Sequence, residues 1–211
     1  FVNMNDGLNE LKKIINERKS RQFKKNQVIY YEGDKGNGLY LLLSGRVKTV
    51  KLAEDGREFM TGIFNTDEYL GAHAMLTNDA YSDTATALED STLCLIPKDS
   101  VDKLINLYPD ISREFIKILA NDIREKEEQL LQLAYNSVRK KMAEAILRLH
   151  KLPGNNVEGF KITREDLAAM AGMATETVSR TLSDFKDEGL IEKKGSTIHV
   201  IDEMRLGKMK N

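Results

Sequence analysis

The stretch that begins at Pro109 and continues past Tyr135 contains no glycine and, after its first residue, no proline. Proline suits a helix start, where its missing N–H has no intrahelical partner to lose. Within this stretch Ile116, Leu119, Ile123, Lys126, Leu130 and Leu133 recur alternately three and four positions apart. That is a seam of about three heptads with one polar intruder, Lys126. The neighbouring faces are charged, as in "REKEEQ" at 124–129. A stripe this narrow calls for a second helix of the same kind, and the reading is a homodimer. The alternative is a helix lying on the rest of its own chain.

What precedes this helix has a different texture. Leu8, Leu11, Ile14 and Ile15 sit at helical spacing near the start. From about Gln22 to Pro97 come short β-rich runs, "QVIYYEGD", "GLYLLLSGRVKTVKL", "GREFMTGIFNTDEYLGA" and "SDTATALEDSTLCLIP". Gly, Asn and Asp punctuate them, which is the rhythm of an antiparallel barrel or double sheet. "EDGRE" at 54–58 reads as a hairpin turn on Asp55-Gly56. A short helix, "KDSVDKLINLYPD", ends before Pro109.

Past the long helix, "SVRKKMAEAILRLHK" reads as another helix and "LPGNNVEG" (152–159) as a loop. Thr163 with Asp166 three residues on makes a capping-box-like start, and Leu167, Ala168 and Ala171 form a small apolar face. "AGM" at 171–173 is a tight turn, with Gly172 where positive φ is wanted. The next helix buries Val178, Leu182 and Phe185, and "DEGLIEKKGSTIHVID" closes with a hairpin tipped by Gly195. Helix, tight turn, helix and hairpin make a winged helix-turn-helix, whose second helix reads the DNA major groove from its N-terminal half.

That assignment gives the outward face of "MATETVSRTLSDF" its chemistry. Arg180 can donate two parallel hydrogen bonds to guanine, Glu176 can accept from a cytosine amino group, and Ser179 and Thr175 can touch bases or thymine methyls. One turn apart, Glu176 and Arg180 are expected to pair and fix the guanidinium's aim. Thr163, Arg164, Thr177, Ser183, Lys193 and Lys194 are the candidates for phosphate contacts, which hold register without reading sequence. Charge agrees weakly: the chain carries −1 overall, while residues 137–211 hold fourteen Lys and Arg against eleven Asp and Glu.

On these residues the chain resembles the Crp/Fnr family of bacterial transcription regulators over nearly its whole length. "ITREDLAAMAGMATETVSRTLSDFKDEGLI" is similar to the family's DNA-binding signature, with Glu176, Ser179 and Arg180 in the E-x-x-S-R form of the Fnr branch. "YYEGDKGNGLYLLLSGRVKT", with Gly33, Gly38 and Gly45, resembles the sensor β-roll. "YLGAHAML" and "ATALEDSTLCLIP" resemble the end of that roll, and "YPDISREF" the start of the dimer helix. The resemblance implies an α+β fold in three parts. An antiparallel, jelly-roll-like β-roll of cyclic-nucleotide-binding type would occupy residues 1–108, a dimerisation helix 109–136, and a winged helix-turn-helix 137–211. It further implies a homodimer on a palindromic operator of double-stranded DNA with half-sites resembling TTGA, whose DNA affinity the roll can bias. An activator of this kind would also engage RNA polymerase.

The effector cassette departs from the family pattern. Members that bind cyclic AMP carry Gly-Glu at its first turn and Arg-Ser some ten residues on, where this chain has Gly71-Ala72 and Tyr81-Ser82. The dimer-helix positions that would meet the purine hold Lys126 and Glu127. Without the Arg, nothing offsets the desolvation of a buried phosphodiester, so cyclic AMP is not expected to bind. The pocket candidates are Gly71, Ala72, His73, Tyr81, Ser82 and Lys126, for an unidentified small molecule or for none, the protein then being active as made.

Other classes are read out by composition. One cysteine, Cys94, cannot supply an iron–sulfur cluster, and His73 alone in the roll argues against haem and against a cupin-like metal enzyme. No cofactor, metal or catalytic residue is expected. A regulatory subunit with a decayed helix-turn-helix would not keep Glu176, Ser179 and Arg180 together. No apolar run approaches a membrane span and the start is not of signal-peptide type, so the expected location is cytoplasmic.

Overall fold

The computed structural model describes residues 6–211, apart from the side chains of residues 156 and 157. The chain divides into two compact units, one comprising the chain through Ala53 with Met60–Arg124, the other Glu54–Phe59 with Glu125–Asn211.

The first unit opens with α1 (Asp6–Glu17) and carries eight strands, one of them (β5) from Met60 onward: β1 (Ser20–Phe23), β2 (Val28–Tyr30), β3 (Gly38–Ser44), β4 (Val47–Leu52), β5 (Glu58–Phe64), β6 (Tyr69–Leu70), β7 (Thr84–Ala87) and β8 (Ser91–Pro97). They form two four-stranded sheets, ordered β1-β8-β3-β6 and β2-β7-β4-β5. The double sheet expected from the turn rhythm is there, with the 54–58 turn joining β4 to β5. Strand periodicity explains the layering. Leu39 and Leu41 of β3 join Ile96 of β8 in one core, packed with Leu11 of α1 and with Val101 and Leu104 of α3 (Lys98–Leu107). Leu42, Leu70, Ala85 and Leu93 point into a second core with Tyr30 and Tyr81. A register shift between Leu42 and Ser44 marks where β3 bends against β8.

Tyr108 is extended, at φ −126 and ψ 104, as a residue before proline prefers, and it separates α3 from α4 (Pro109–Tyr135, 27 residues). Ile111 and Phe115 bury the first turns of α4 in the helix-side core. Further on, Ile116, Ile123 and Leu130, seven residues apart, are 64%, 61% and 67% exposed. Lys126 is exposed with them, Leu119 and Leu133 are half-buried, and Leu131 and Tyr135 extend the exposed apolar face beyond the expected seam.

In the second unit Ser137 caps α5 (Val138–His150) by accepting a hydrogen bond from the Lys140 N–H at 3.3 Å. The stretch read as a loop contains one turn of helix, α6 (Asn155–Glu158), which Asn155 Nδ2 ties to the Leu149 carbonyl at 2.7 Å. Then follow β9 (Phe160–Lys161), α7 (Arg164–Ala171), α8 (Thr175–Asp187), β10 (Ile191–Lys194), β11 (Thr197–Val200) and α9 (Glu203–Gly207). The hairpin is part of a three-stranded sheet, β10-β11-β9, because Phe160 and Lys161 pair with Ile198 and Thr197. Two residues are too few for periodicity to disclose a strand. α9 also escaped the sequence reading, although Asp202 accepts from the Arg205 N–H at 2.9 Å in an ordinary N-cap.

Candidate nucleic-acid interface

The two helices of the turn are held by caps the sequence spells out. Thr163 Oγ1 accepts from the Asp166 N–H at 3.0 Å and starts α7, whose residues Leu167 to Ala171 are all buried. Gly172 stops it at φ 63, its N–H returning to the Ala168 carbonyl. Ala174 begins α8 without a side-chain cap. Val178, Leu182 and Phe185 bury one face of α8, with Thr181, whose hydroxyl donates to the Thr177 carbonyl at 2.8 Å. The helix therefore cannot roll without exposing this apolar face.

The opposite face is what remains for a ligand. Glu176, Arg180 and Ser183 are exposed, and Thr175, Thr177 and Ser179 are half-buried. The expected ion pair between Glu176 and Arg180 is not formed among the described residues. An exposed pair one turn apart gains only about 0.2–0.5 kcal/mol, which the rotamer freedom of two long side chains offsets. Both groups therefore face outward with their hydrogen-bonding capacity intact.

Between the start of α7 and the β10–β11 hairpin lies a groove of about 320 Å³, lined by the apolar Leu167, Leu182 and Ile198 together with Thr163, Arg164, Glu165, Lys193, Gly195 and Ser196. It gathers three of the sequence-predicted phosphate residues, Thr163, Arg164 and Lys193, from the start of α7 and from the wing. Ser196, beside Gly195 at the hairpin tip, lines the groove with them. Lys194 sits apart from the groove lining and pairs with Glu192 at 3.5 Å. Thr177 and Ser183 stay on α8 itself.

The effector candidates fare differently. Gly71 has φ 80 at the start of α2 (Ala72–Thr77), and a Cβ there would come 2.8 Å from Tyr81 Cε1. Ala72 is buried, while His73 and Ser82 are exposed. Tyr81 is buried: its ring stacks on Tyr30 at 3.8 Å between centroids, and Tyr40 lies 5.9 Å from Tyr30. Burial first, and the Tyr40 ring second, push the Tyr81 phenol up to about 12. Burial together with Asp83 raises Tyr30 further still. Lys126 belongs to the second unit, on the exposed part of α4. Among the described residues no three His, Cys, Asp or Glu side chains converge on a metal position, and no helix is long and apolar enough to cross a membrane.

Comparison with known proteins fits this arrangement. A family model of the cyclic nucleotide-binding domain matches residues 20–108, and one of the Crp-like helix-turn-helix domain matches residues 140–209. The regulatory protein HlyX of Actinobacillus pleuropneumoniae is 31% identical over 204 residues, covering 93% of this chain and 84% of that protein. The transcriptional activator protein anr of Pseudomonas aeruginosa is 28% identical over 206 residues, 95% of this chain and 83% of the relative. Among solved structures, FixK2 from Bradyrhizobium japonicum shares the fold with a TM-score of 0.82 at 21% identity, over 92% of this chain and 98% of FixK2. With both domain models matched in order and relatives aligned over 93% and 95% of this chain, the chain belongs to the Crp/Fnr family of transcription regulators, proteins that bind DNA and are not enzymes.

Proposed function

We propose that this regulator acts as a homodimer on a palindromic operator, with residues 1–108 as sensor, 109–136 as dimerisation helix and 137–211 as DNA reader. Thr175, Glu176, Ser179 and Arg180 read bases, while Thr163, Arg164, Thr177, Ser183, Lys193 and Lys194 hold phosphates. The observation that carries the reading is the unpaired outward presentation of Glu176 and Arg180 on a helix whose other face is buried. The exposed ladder of Ile116, Ile123 and Leu130 supports pairing of two α4 helices, which would set two recognition helices one turn of DNA apart. Its place would be the cytoplasm, and if it activates transcription it would also touch RNA polymerase. Selection of bound sites from random DNA tests the reading. Inverted repeats with TTGA-like half-sites are expected; enrichment of single, unpaired half-sites or of no sequence overturns it.

One observation favours a sensor that does not answer to cyclic AMP. A relative from Mycobacterium tuberculosis, 27% identical over 191 residues (88% of this chain and 85% of that protein), is named a cAMP-activated global regulator. Here the cassette position expected to neutralise the phosphate is Tyr81, folded onto Tyr30. Titration calorimetry with cyclic AMP should give no saturable heat, and tight binding with enhanced operator affinity would refute the assignment. An operator complex formed at full affinity by protein free of small molecules would identify it as active when made.

A further inference from the structure

The C-terminal end of α8 is electrostatically awkward. Asp184, Asp187 and Glu188 outnumber Lys186 at the end of a helix where the macrodipole is negative. Two arginines from other helices answer them. Arg139, at the start of α5, donates from Nη2 to both carboxylate oxygens of Glu188, each at 2.8 Å. Its Nη1 lies 4.0 Å from Asp184 Oδ2, and its guanidinium carbon stands 5.0 Å from the centroid of the Phe185 ring. Arg205 of α9 donates to the Glu188 main-chain carbonyl at 3.3 Å.

We propose that Arg139 is a positioning residue for base readout: its grip on Glu188, Asp184 and Phe185 fixes the tilt of α8, and so the reach of Glu176, Ser179 and Arg180. The inference rests on the reading of α8 as the base-reading helix. Arg139 and Glu188 are each 40% exposed, and a surface ion pair of that kind adds little stability, about 0–1 kcal/mol. What a planar fork over an aromatic ring supplies is direction, since guanidinium, carboxylate and ring must be aligned together. The start of α8 has no side-chain cap to hold it, so its angle is set from the buried face and from this end. Arg139 also lies two residues beyond Ser137, the cap that follows α4, so it ties the recognition helix to the start of α5 where α4 ends.

The test compares wild type, Arg139→Lys, Glu188→Ala and the exchange Arg139→Glu with Glu188→Arg, all as full chains. The readout is the affinity ratio between the selected operator and the same operator with one half-site base pair changed, alongside the salt dependence of binding to random DNA. Arg139→Lys and Glu188→Ala are each expected to cut the ratio by about five- to tenfold, the low end of one misaimed base contact. The salt slope stays put, because no phosphate contact is lost. The exchange should not restore the ratio, because it sets a carboxylate beside Asp184 and over the face of the Phe185 ring. An undiminished ratio in both single variants, or equal losses on operator and random DNA, overturns the positioning role while leaving base readout by α8 standing. A wild-type protein that does not discriminate overturns both.

Discussion

Leu133, near the end of α4, lies against Gly172, the turn between α7 and α8: a Cβ on Gly172 would come 2.6 Å from Leu133 Cδ2. The long helix thus approaches the corner of the helix-turn-helix, where the backbone has φ 63 and a side chain would have to displace the tip of Leu133. Glycine answers both demands at once.

Gly172→Ala should destabilise the second unit by about 1–3 kcal/mol, mainly from positive φ and to a smaller degree from displacing Leu133. In a Leu133→Ala background the collision disappears and only the conformational part, about 1 kcal/mol, remains. Urea unfolding of the four proteins in this cycle measures the difference. Strict additivity would mean that the two residues do not touch in solution.

Arg180→Ala should cost about 1–3 kcal/mol on the selected operator while leaving weak, salt-sensitive binding to random DNA. Because Arg180 is exposed and has no ion pair with Glu176, its removal should change unfolding free energy by no more than about 0.5 kcal/mol. Fluorescence anisotropy on both DNAs, with a thermal melt, separates the two effects. Equal losses on operator and random DNA would contradict base readout.

Ile123→Glu puts a charge at the middle of the exposed α4 ladder. The side chain is 61% exposed in the single chain, so the fold should survive while a paired seam should not. Sedimentation equilibrium is expected to show a dimer for wild type and a monomer for the variant. A variant that remains dimeric would place the dimer contact elsewhere.

Thr163→Ala removes the acceptor for the Asp166 N–H and should cost about 1 kcal/mol of unfolding free energy, with Thr163→Ser recovering most of it. Denaturant midpoints decide this. A silent alanine variant would mean that water caps α7 equally well.

The tyrosine stack carries a pH signature. Folding raises the Tyr81 phenol from 10.0 to about 12, so the native state keeps a proton that the unfolded chain gives up. The resulting stability is complete below pH 10.0 and drains away as pH climbs through about 12. Wild type should lose stability relative to Tyr81→Phe over that window in alkaline unfolding curves, and curves that run parallel would show Tyr81 unburied in solution.

Local chemistry was readable in advance wherever it was local in the chain. The absence of Gly and Pro after 109 announced α4, Thr163 and Gly172 bounded α7, and the spacing of Val178, Leu182 and Phe185 told which side of α8 faces in. The Asp55-Gly56 turn and the punctuated runs foretold a double sheet. Glu176 and Arg180 were placed correctly on the outward face, but their pairing was not, since a few tenths of a kcal/mol cannot decide a rotamer against solvent.

Other features join residues far apart in sequence. Arg139 meets Glu188 across 49 positions. Tyr81 lies on Tyr30, and the two-residue β9 finds β11. Backbone preferences and hydrophobic period act over one or two turns, so they declare helices, turns and buried faces from the letters alone. Which distant partners meet is settled by how those faces pack around a shared core. Only the packed chain could therefore reveal a tyrosine at position 81 turned inward and an arginine gripping the far end of α8.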